Sequence, residues 1–488
     1  MRLIALSFLV LVCAPALAAQ DAAAQSRHRA RNVHVAPAPA PPQDRAAQAL
    51  RATPPALEKQ AGTEGANLGL SAALGRAFEH SPGFRAAQDR YAAAMETKPQ
   101  AWSYFWPQLT ASANYSHVDE HVSGTFYNLT DIDRTAVFNR PLGRVELTEP
   151  IFRRDLMVRL DQAQVVASRA TAQLADARHE LLIQLAEAYF GLEGAREALG
   201  AARAEKNAIT EQLSQVRDKH AAGLNSDAEL AGMQAQADLS SAREIQAENL
   251  ANLARTHLER VIGQRVAGLR ALKPDAVLPA VDPEVIETWV NRAWSGNLKL
   301  ADQTMAVRLA ELEVKRKSAG HLPTLDLVGA DTYYDADDSL SGKRQFNEAS
   351  IGVTLTLPLF SGFRVNSETR QAAHELAGAR ELERAQRDTA EETTRADFLN
   401  LLAHRARADA LKQAVTSADS ALDAMEVGYD VGTRTSVDVL DAIKDRTDAQ
   451  RDYQGARFQY LLSWLKLRRD AGVLSAADFD TIDRILAP

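Results

Sequence analysis

Apolar residues recur with a period of two over four short stretches and with heptad spacing over two very long ones. Between Pro107 and about Asp119, Leu109, Ala111, Ala113 and Tyr115 alternate with Thr110, Ser112, Asn114 and Ser116. Val145 and Leu147 alternate with Arg144, Glu146 and Thr148 in a second stretch, which ends at Pro150-Ile151-Phe152. A third, Thr324 to Tyr334, alternates less cleanly. A fourth sets Ile351, Val353, Leu355 and Leu357 against Gly352, Thr354 and Thr356. Period two predicts strands with one apolar and one polar face. Strands of ~9–11 residues cross a bilayer when tilted. The polar segments at about 120–140 and 335–348 are expected to be hairpin loops.

The long stretches read as helices. Arg154 to about Ala221 is 68 residues, or roughly 100 Å at the helical rise. Leu181, Leu185, Ala188, Leu192, Ala195, Leu199 and Ala202 step by four and three in turn, as do Leu411, Val415, Ala418, Leu422, Met425 and Tyr429. That spacing is the seam of a coiled coil, and the alanines permit close approach. Gly223 and Gly432 each turn the chain back into a second helix of about 35 residues. Helical patterns also run from Leu70 to about Ser103, broken once near Ser81-Pro82-Gly83, and from about Pro283 to Ala319, broken near Ser295-Gly296-Asn297.

One plan is therefore stated twice. Pro150 to Pro358 is 208 residues, and Gly223 to Gly432 and Gly263 to Gly472 are each 209. A duplication on this scale decides the architecture. Residues 67–274 are assigned to a first repeat of helix, β-hairpin and long helical hairpin. Residues 275–488 are assigned to a second, with a short C-terminal tail.

Ahead of the repeats, Met1-Arg2, the apolar run Leu3 to Val12 and Ala16-Leu17-Ala18 read as a secretory signal peptide, residues 1–18. The single cysteine, Cys13, lies inside it, so disulfide and thiol chemistry are not expected. Bulky Val12 also stands where lipidation at Cys13 would need a small residue. Residues 19–66, rich in Ala and Pro, are expected to form a disordered leader that cannot bury a core. No later apolar run approaches the ~18–20 residues of a membrane helix. An exported chain without one is either soluble in the periplasm or a β-barrel in the outer membrane.

The strands favour the barrel. Trp102, Tyr104, Phe105 and Trp106 precede the first strand, and Phe152, Phe360 and Phe363 follow the returning ones. Aromatic residues at strand ends suit an interfacial girdle. Four strands cannot close a membrane barrel, whose smallest form has ~8, and an open edge is not tolerated in lipid. Several copies must then share one barrel: two would supply eight strands and three would supply twelve. The balance of 56 basic against 64 acidic side chains, with no basic stripe, disfavours a nucleic-acid partner.

Two stretches carry a family resemblance. The second tip reads Tyr429-Asp430-Val431-Gly432-Thr433-Arg434-Thr435-Ser436-Val437-Asp438-Val439-Leu440-Asp441-Ala442, and the third strand opens with Gly320-His321-Leu322-Pro323-Thr324-Leu325-Asp326-Leu327. Both resemble the TolC family of outer-membrane exit ducts, over about residues 68 to 486. The resemblance implies an α+β membrane protein: a homotrimer sharing a 12-stranded β-barrel in outer-membrane lipid and a long periplasmic α-helical barrel. It implies a periplasmic adaptor and an inner-membrane transporter as partners, with polypeptides or small toxic molecules as cargo. It places Asp438 and Asp441 at the pore constriction, where a ring of like charge would favour cations and raise the carboxylate pKa values. It makes Tyr429 and Arg434 the donors of an entrance latch. The acceptor positions hold Ala228-Glu229, where the family typically has Thr-Asp, and Glu229 keeps the charge.

Blander readings stand beside these. Asp438 can complete a capping box begun by Thr435, and Asp441 can be a solvated first-turn acid. His117 and His121 are spaced for a metal, but two ligands alone make a poor site, and a polar loop rim is the blander reading. Lys315-Arg316-Lys317 can meet lipid head groups or cap a solvated helix end. There is no phosphate loop, nucleophile elbow, HExxH or Cys/His cluster, so no catalytic residue, cofactor or metal is expected. The alternative to a duct is a soluble periplasmic coiled-coil adaptor or spacer. A surface fibre is weaker still, because the expected loops are short.

Overall fold

The computed structural model describes residues 68–126, 130–223, 226–339 and 342–487, so the expected signal peptide and leader lie outside it. Helices α1 (Leu70–His80), α2 (Pro82–Met95) and α3 (Thr97–Ser103) lead into β1 (Gln108–Phe126) and β2 (Thr130–Phe152). Helices α4 (Arg154–Ala221) and α5 (Asp227–Ile262) follow. The order then recurs as α6 (Ile286–Gly296), α7 (Leu298–Ser318), β3 (Thr324–Ser339), β4 (Gly342–Thr356), α8 (Arg364–Asp430) and α9 (Ser436–Asp470). A last helix, α10 (Ala476–Ile485), ends the described chain.

Local chemistry explains the boundaries. Ser81 Oγ accepts from Phe84 N to cap α2, with Pro82 in the first turn. Asn297 does the same for α7 through Lys299 N and Leu300 N. The expected single break before the first hairpin becomes two, since α2 also stops at Met95. Pro99 has no N–H to offer the Met95 carbonyl, so the helical ladder loses a rung there. Gly223 and Gly432 turn the long helices at φ 76° each, a conformation glycine adopts without strain.

The hairpins differ from expectation. The polar stretches expected to be loops are largely strand, and β1 and β2 reach 19 and 23 residues. Cross-strand hydrogen bonds hold the extension: His117 Nδ1 pairs with Asn139 Oδ1 at 3.0 Å and His121 Nδ1 with Thr135 Oγ1 at 3.1 Å. The two histidines thus sit within β1, roughly 13 Å apart at the strand rise, too far to share one ion. No metal-type cluster of three occurs among the described residues.

The four strands form one antiparallel sheet in the order β1-β2-β3-β4. Leu109, Leu147, Gly329 and Ile351 line up across it in one row. The face they share is apolar and open: Leu109, Ile351, Val353 and Leu355 are 65%, 63%, 60% and 67% exposed. No helix among the described residues is long and apolar enough to cross a membrane.

The main core lies midway along the long helices. Leu181, Leu185, Ala188 and Leu192 from the α4 seam pack with Leu461, Trp464 and Leu465 of α9 and with residues of α1 and α10. Each fully buried leucine contributes about 2 kcal/mol. The segment between α5 and α6 is strapped over this core. Tyr189 Oη lies 3.0 Å from both Leu68 O and Arg270 O, which share its one hydrogen, and Trp289 Nε1 donates to Pro283 O at 2.8 Å. The second seam is more open; among its six positions only Leu422 and Tyr429 are buried.

Candidate functional site: the helical hairpin tips

Both tips lie where the long helices turn back. At the first, Ser226 caps α5, and His220 Nε2 meets Asp227 Oδ1 at 2.7 Å across the turn. At the second, Thr433 N and Arg434 N donate to Gly428 O at 2.8 and 3.1 Å, and Thr435 caps α9. A Cβ on Gly428 would sit 2.6 Å from Arg434 Cγ, so the glycine makes room for the arginine stem.

The capping box is formed. Thr435 N and Oγ1 donate to Asp438 Oδ2 at 2.8 and 2.9 Å, and Asp438 N donates to Thr435 Oγ1 at 3.3 Å. The Thr435 backbone and side chain hold the Asp438 carboxyl below its ordinary pKa. Within one chain the shift is therefore opposite in sign to that expected from a ring of like charges. Asp441 is exposed and lies in the second turn, not the first, because only Asp438 is acidic in the first turn of α9.

Tyr429 is buried beneath Lys219, whose Nζ lies 3.8 Å from the ring centroid. Its hydroxyl has no hydrogen-bond partner among the described residues. Arg434 is exposed. Glu229 takes part in a contact that sequence reasoning missed: Ser436 Oγ, at the start of α9, donates to Glu229 Oε1 at 2.7 Å. Ser226-x-x-Glu229 has capping-box spacing, which predicts a local role for the carboxylate. Only the serine half forms, with Glu229 N donating to Ser226 Oγ at 3.2 Å. Glu229 reaches across to the other tip instead, and no local signal could have revealed that.

Apolar contacts reinforce the joint. Leu440 of α9 packs on the first tip's core of Ile209, Leu213, Val216 and Met233, and Ala208 of α4 packs on the second tip's core. A groove of about 630 Å³ runs beside them, lined by Glu229, Ser436, Asp441 and Lys444 among others. Of the five predicted site residues, Glu229 and Asp441 line this groove, while Asp438 is held in its capping box with Thr435. Tyr429 packs into the second tip's core, and Arg434 is exposed.

The family model described as outer membrane efflux protein matches residues 73–264 and 289–473. The chain belongs to that family. It is 32% identical to the outer membrane protein TolC of Vibrio cholerae, over 84% of this chain and 92% of that one. It is 31% identical to TolC of Escherichia coli, over 83% and 82%. The alkaline protease secretion protein AprF of Pseudomonas aeruginosa is 26% identical over 85% and 86%. Among solved structures, the Campylobacter jejuni CmeC outer membrane channel aligns with a TM-score of 0.71 at 16% identity, covering 86% of this chain and 90% of that one. As a member of the efflux family the chain is an outer-membrane exit duct for secretion and efflux, with a periplasmic extension. The soluble adaptor reading is set aside. The family is one of transport ducts, not of enzymes.

Proposed function

We propose that three copies of the chain close a 12-stranded barrel in the outer membrane and a helical barrel beneath it. The observation that carries this reading is the sheet with two free edges. Among the described residues, β1 and β4 each pair with a strand on one side only, while the shared face is apolar and exposed. Open edges are not viable in lipid, and β4 of one copy runs antiparallel to β1 of the next. The helices carry matching apolar flanks: Ile245, Leu250 and Leu253 on α5, and Leu382 and Leu399 on α8, are each more than half exposed.

On this reading Asp438 and Asp441 line the entrance constriction, six carboxylates in all for three copies. Tyr429, Arg434 and Glu229 belong to the latch that holds the tips shut. A periplasmic adaptor and an inner-membrane transporter dock at the tips, and the transporter supplies the energy. Cargo leaves as polypeptide or as small toxic molecules. Relatives named for protease secretion, AprF and PrtF, support polypeptide cargo.

Single-channel recording in a planar bilayer tests the proposal. A small, cation-selective, trimer-dependent conductance is expected, with loss of selectivity in Asp438→Ala/Asp441→Ala. A chain that runs as a monomer and conducts nothing would refute it.

A further inference from the structure

The apolar face of the sheet has a counterpart on the other side that is not uniformly polar. Directly opposed residues on antiparallel strands share a face, and an odd step along a strand changes face. The row Leu109, Leu147, Gly329 and Ile351 lies on the apolar side. Five residues nearer the hairpin ends lies the row Asn114, Leu142, Tyr334 and Phe346. Five is odd, so this row belongs to the opposite face. Phe346 is 49% exposed there, and Leu142 and Tyr334 are half-buried. The third strand alternates imperfectly for this reason, since Tyr333 and Tyr334 put one ring on each face.

The row has a definite height. On the apolar side the two flanking rows hold Tyr115 and Tyr333, which are 72% and 42% exposed. Tyrosines on a lipid-facing surface mark the interface. The inner aromatic row is therefore level with the place where the strands leave the membrane. Charged rows bound it on its own face. Ser112, Arg144, Thr332 and Glu348 lie two residues towards the helices, and Arg144 meets Glu146 at 3.0 Å. Ser116 and Arg140 lie two residues the other way, with Arg140 Nε donating to Ser116 Oγ at 3.4 Å.

We infer that Leu142, Tyr334 and Phe346 form a contact site, inside the barrel at its outer mouth, for apolar and aromatic side chains of unfolded polypeptide in transit. The inference rests on the shared-barrel reading and says where that barrel engages its cargo. If the apolar face meets lipid, the opposite face lines the lumen, and everything exported passes it. A barrel interior is ordinarily polar. An apolar patch facing water is unfavourable until other apolar surface covers it. Single ring contacts are weak, so cargo is held briefly and released, as conduction requires.

The spacing suits an extended chain. Successive rows on one face are about 6.6 Å apart, which is also the distance between alternate side chains of a stretched polypeptide. Such a chain can set an apolar group on the aromatic row while its charged groups meet Arg144, Glu348 and Arg140. Twelve strands about 4.8 Å apart and tilted about 40° make a barrel roughly 24 Å across at the backbone. Side chains from opposite walls take up roughly half of that and leave room for one extended chain. Relatives named for protease secretion agree with a polypeptide occupant.

Peptide block in a planar bilayer tests the site. The wild-type channel is compared with Tyr334→Thr/Phe346→Thr, since threonine suits a strand and lacks the ring. Two unfolded peptides of equal charge, with phenylalanine or serine at alternate positions, are added on the hairpin side. The phenylalanine peptide is expected to dwell about tenfold longer than the serine peptide in the wild-type channel. The threonine variant is expected to lose that difference. Equal dwell times in the wild-type channel, or a difference that survives the threonines, overturn the site. Tyr334 and Phe346 are also a cross-strand pair, so a lowered melting temperature with unchanged dwell times overturns it too and leaves the rings a structural role. Ring-dependent block by tetraphenylphosphonium without any peptide effect overturns polypeptide as the occupant. A wild-type chain without trimer-dependent conductance, recorded before any peptide is added, overturns the shared barrel itself.

Discussion

Ser436 Oγ donates to Glu229 Oε1 at 2.7 Å, tying the two hairpin tips of one chain together across 207 residues. Ser436 is buried and Glu229 half-buried, so the bond is shielded from water on one side. Hydrogen bonds to charged groups contribute about 1.5–3 kcal/mol, less with partial exposure. Ser436→Ala is expected to raise the closed-state conductance in a planar bilayer. A double-mutant cycle with Glu229→Gln should give a coupling of about 1 kcal/mol in thermal unfolding. Additive effects and an unchanged leak would show that the tie does not hold the entrance.

Tyr429→Phe with Arg434→Ala tests the donors implied by the family resemblance. Phenylalanine keeps the ring under Lys219, so the substitution isolates the hydroxyl. More ion leak than wild type is expected. Equal leak would count against both residues as latch donors.

The two acids of α9 are separable. Asp441→Asn removes charge without touching the cap, so cation selectivity should fall while the melting temperature stays within error. Asp438→Ala loses both charge and capping box, and should also cost about 1 kcal/mol of stability. Reversal potentials and thermal unfolding read the two effects independently.

A buried pair makes stability depend on pH. Asp397 of α8 is pushed up to about 7, first by burial and then by Asp470 at the end of α9. Arg469 and Lys466 pull the other way. Glu193 is likewise raised to about 7, chiefly by burial, against Arg196. Folded-state values above the unfolded ones mean that this stabilisation is complete below the ordinary carboxylate range and is lost as pH rises to about 7. The melting temperature of the detergent-solubilised protein should therefore carry a component that falls from about pH 4 to about pH 7. Asp397→Asn should flatten part of that slope, leaving the share of Glu193. A slope identical to wild type would refute the pairing.

Two glycines should respond in opposite directions. A Cβ on Gly472, at φ 70°, would overlap the Gly296 carbonyl oxygen. Gly472→Ala is expected to destabilise by about 2 kcal/mol or more. Gly378, inside α8, has nothing within 4 Å of an added Cβ. Gly378→Ala should stabilise by about 0.5–1 kcal/mol. Thermal unfolding compares them directly.

Much of the fold was legible because its signals are local and repeated. The helical pattern expected from Arg154 to about Ala221 is the helix Arg154–Ala221, and glycines marked both turns. The hairpin extensions were misjudged because polarity predicts exposure, whereas pairing between Ser116–Phe126 and Thr130–Arg140 depends on cross-strand partners. Asp438 was legible as a cap from Thr435, three residues away. The bond between Glu229 and Ser436 was not, since it depends on how two hairpins lie against each other.

The sequence by itself determined the duplicated plan, the period-two and heptad faces, the turns and the caps, because neighbours along the chain set those. Only the tertiary structure decided which carboxylates end up alone, paired or shared. Glu229 leaves its own cap for another helix, and Asp397 meets Asp470 although 73 positions separate them. The energies of such groups follow from burial and from distant neighbours, and no stretch of sequence contains either.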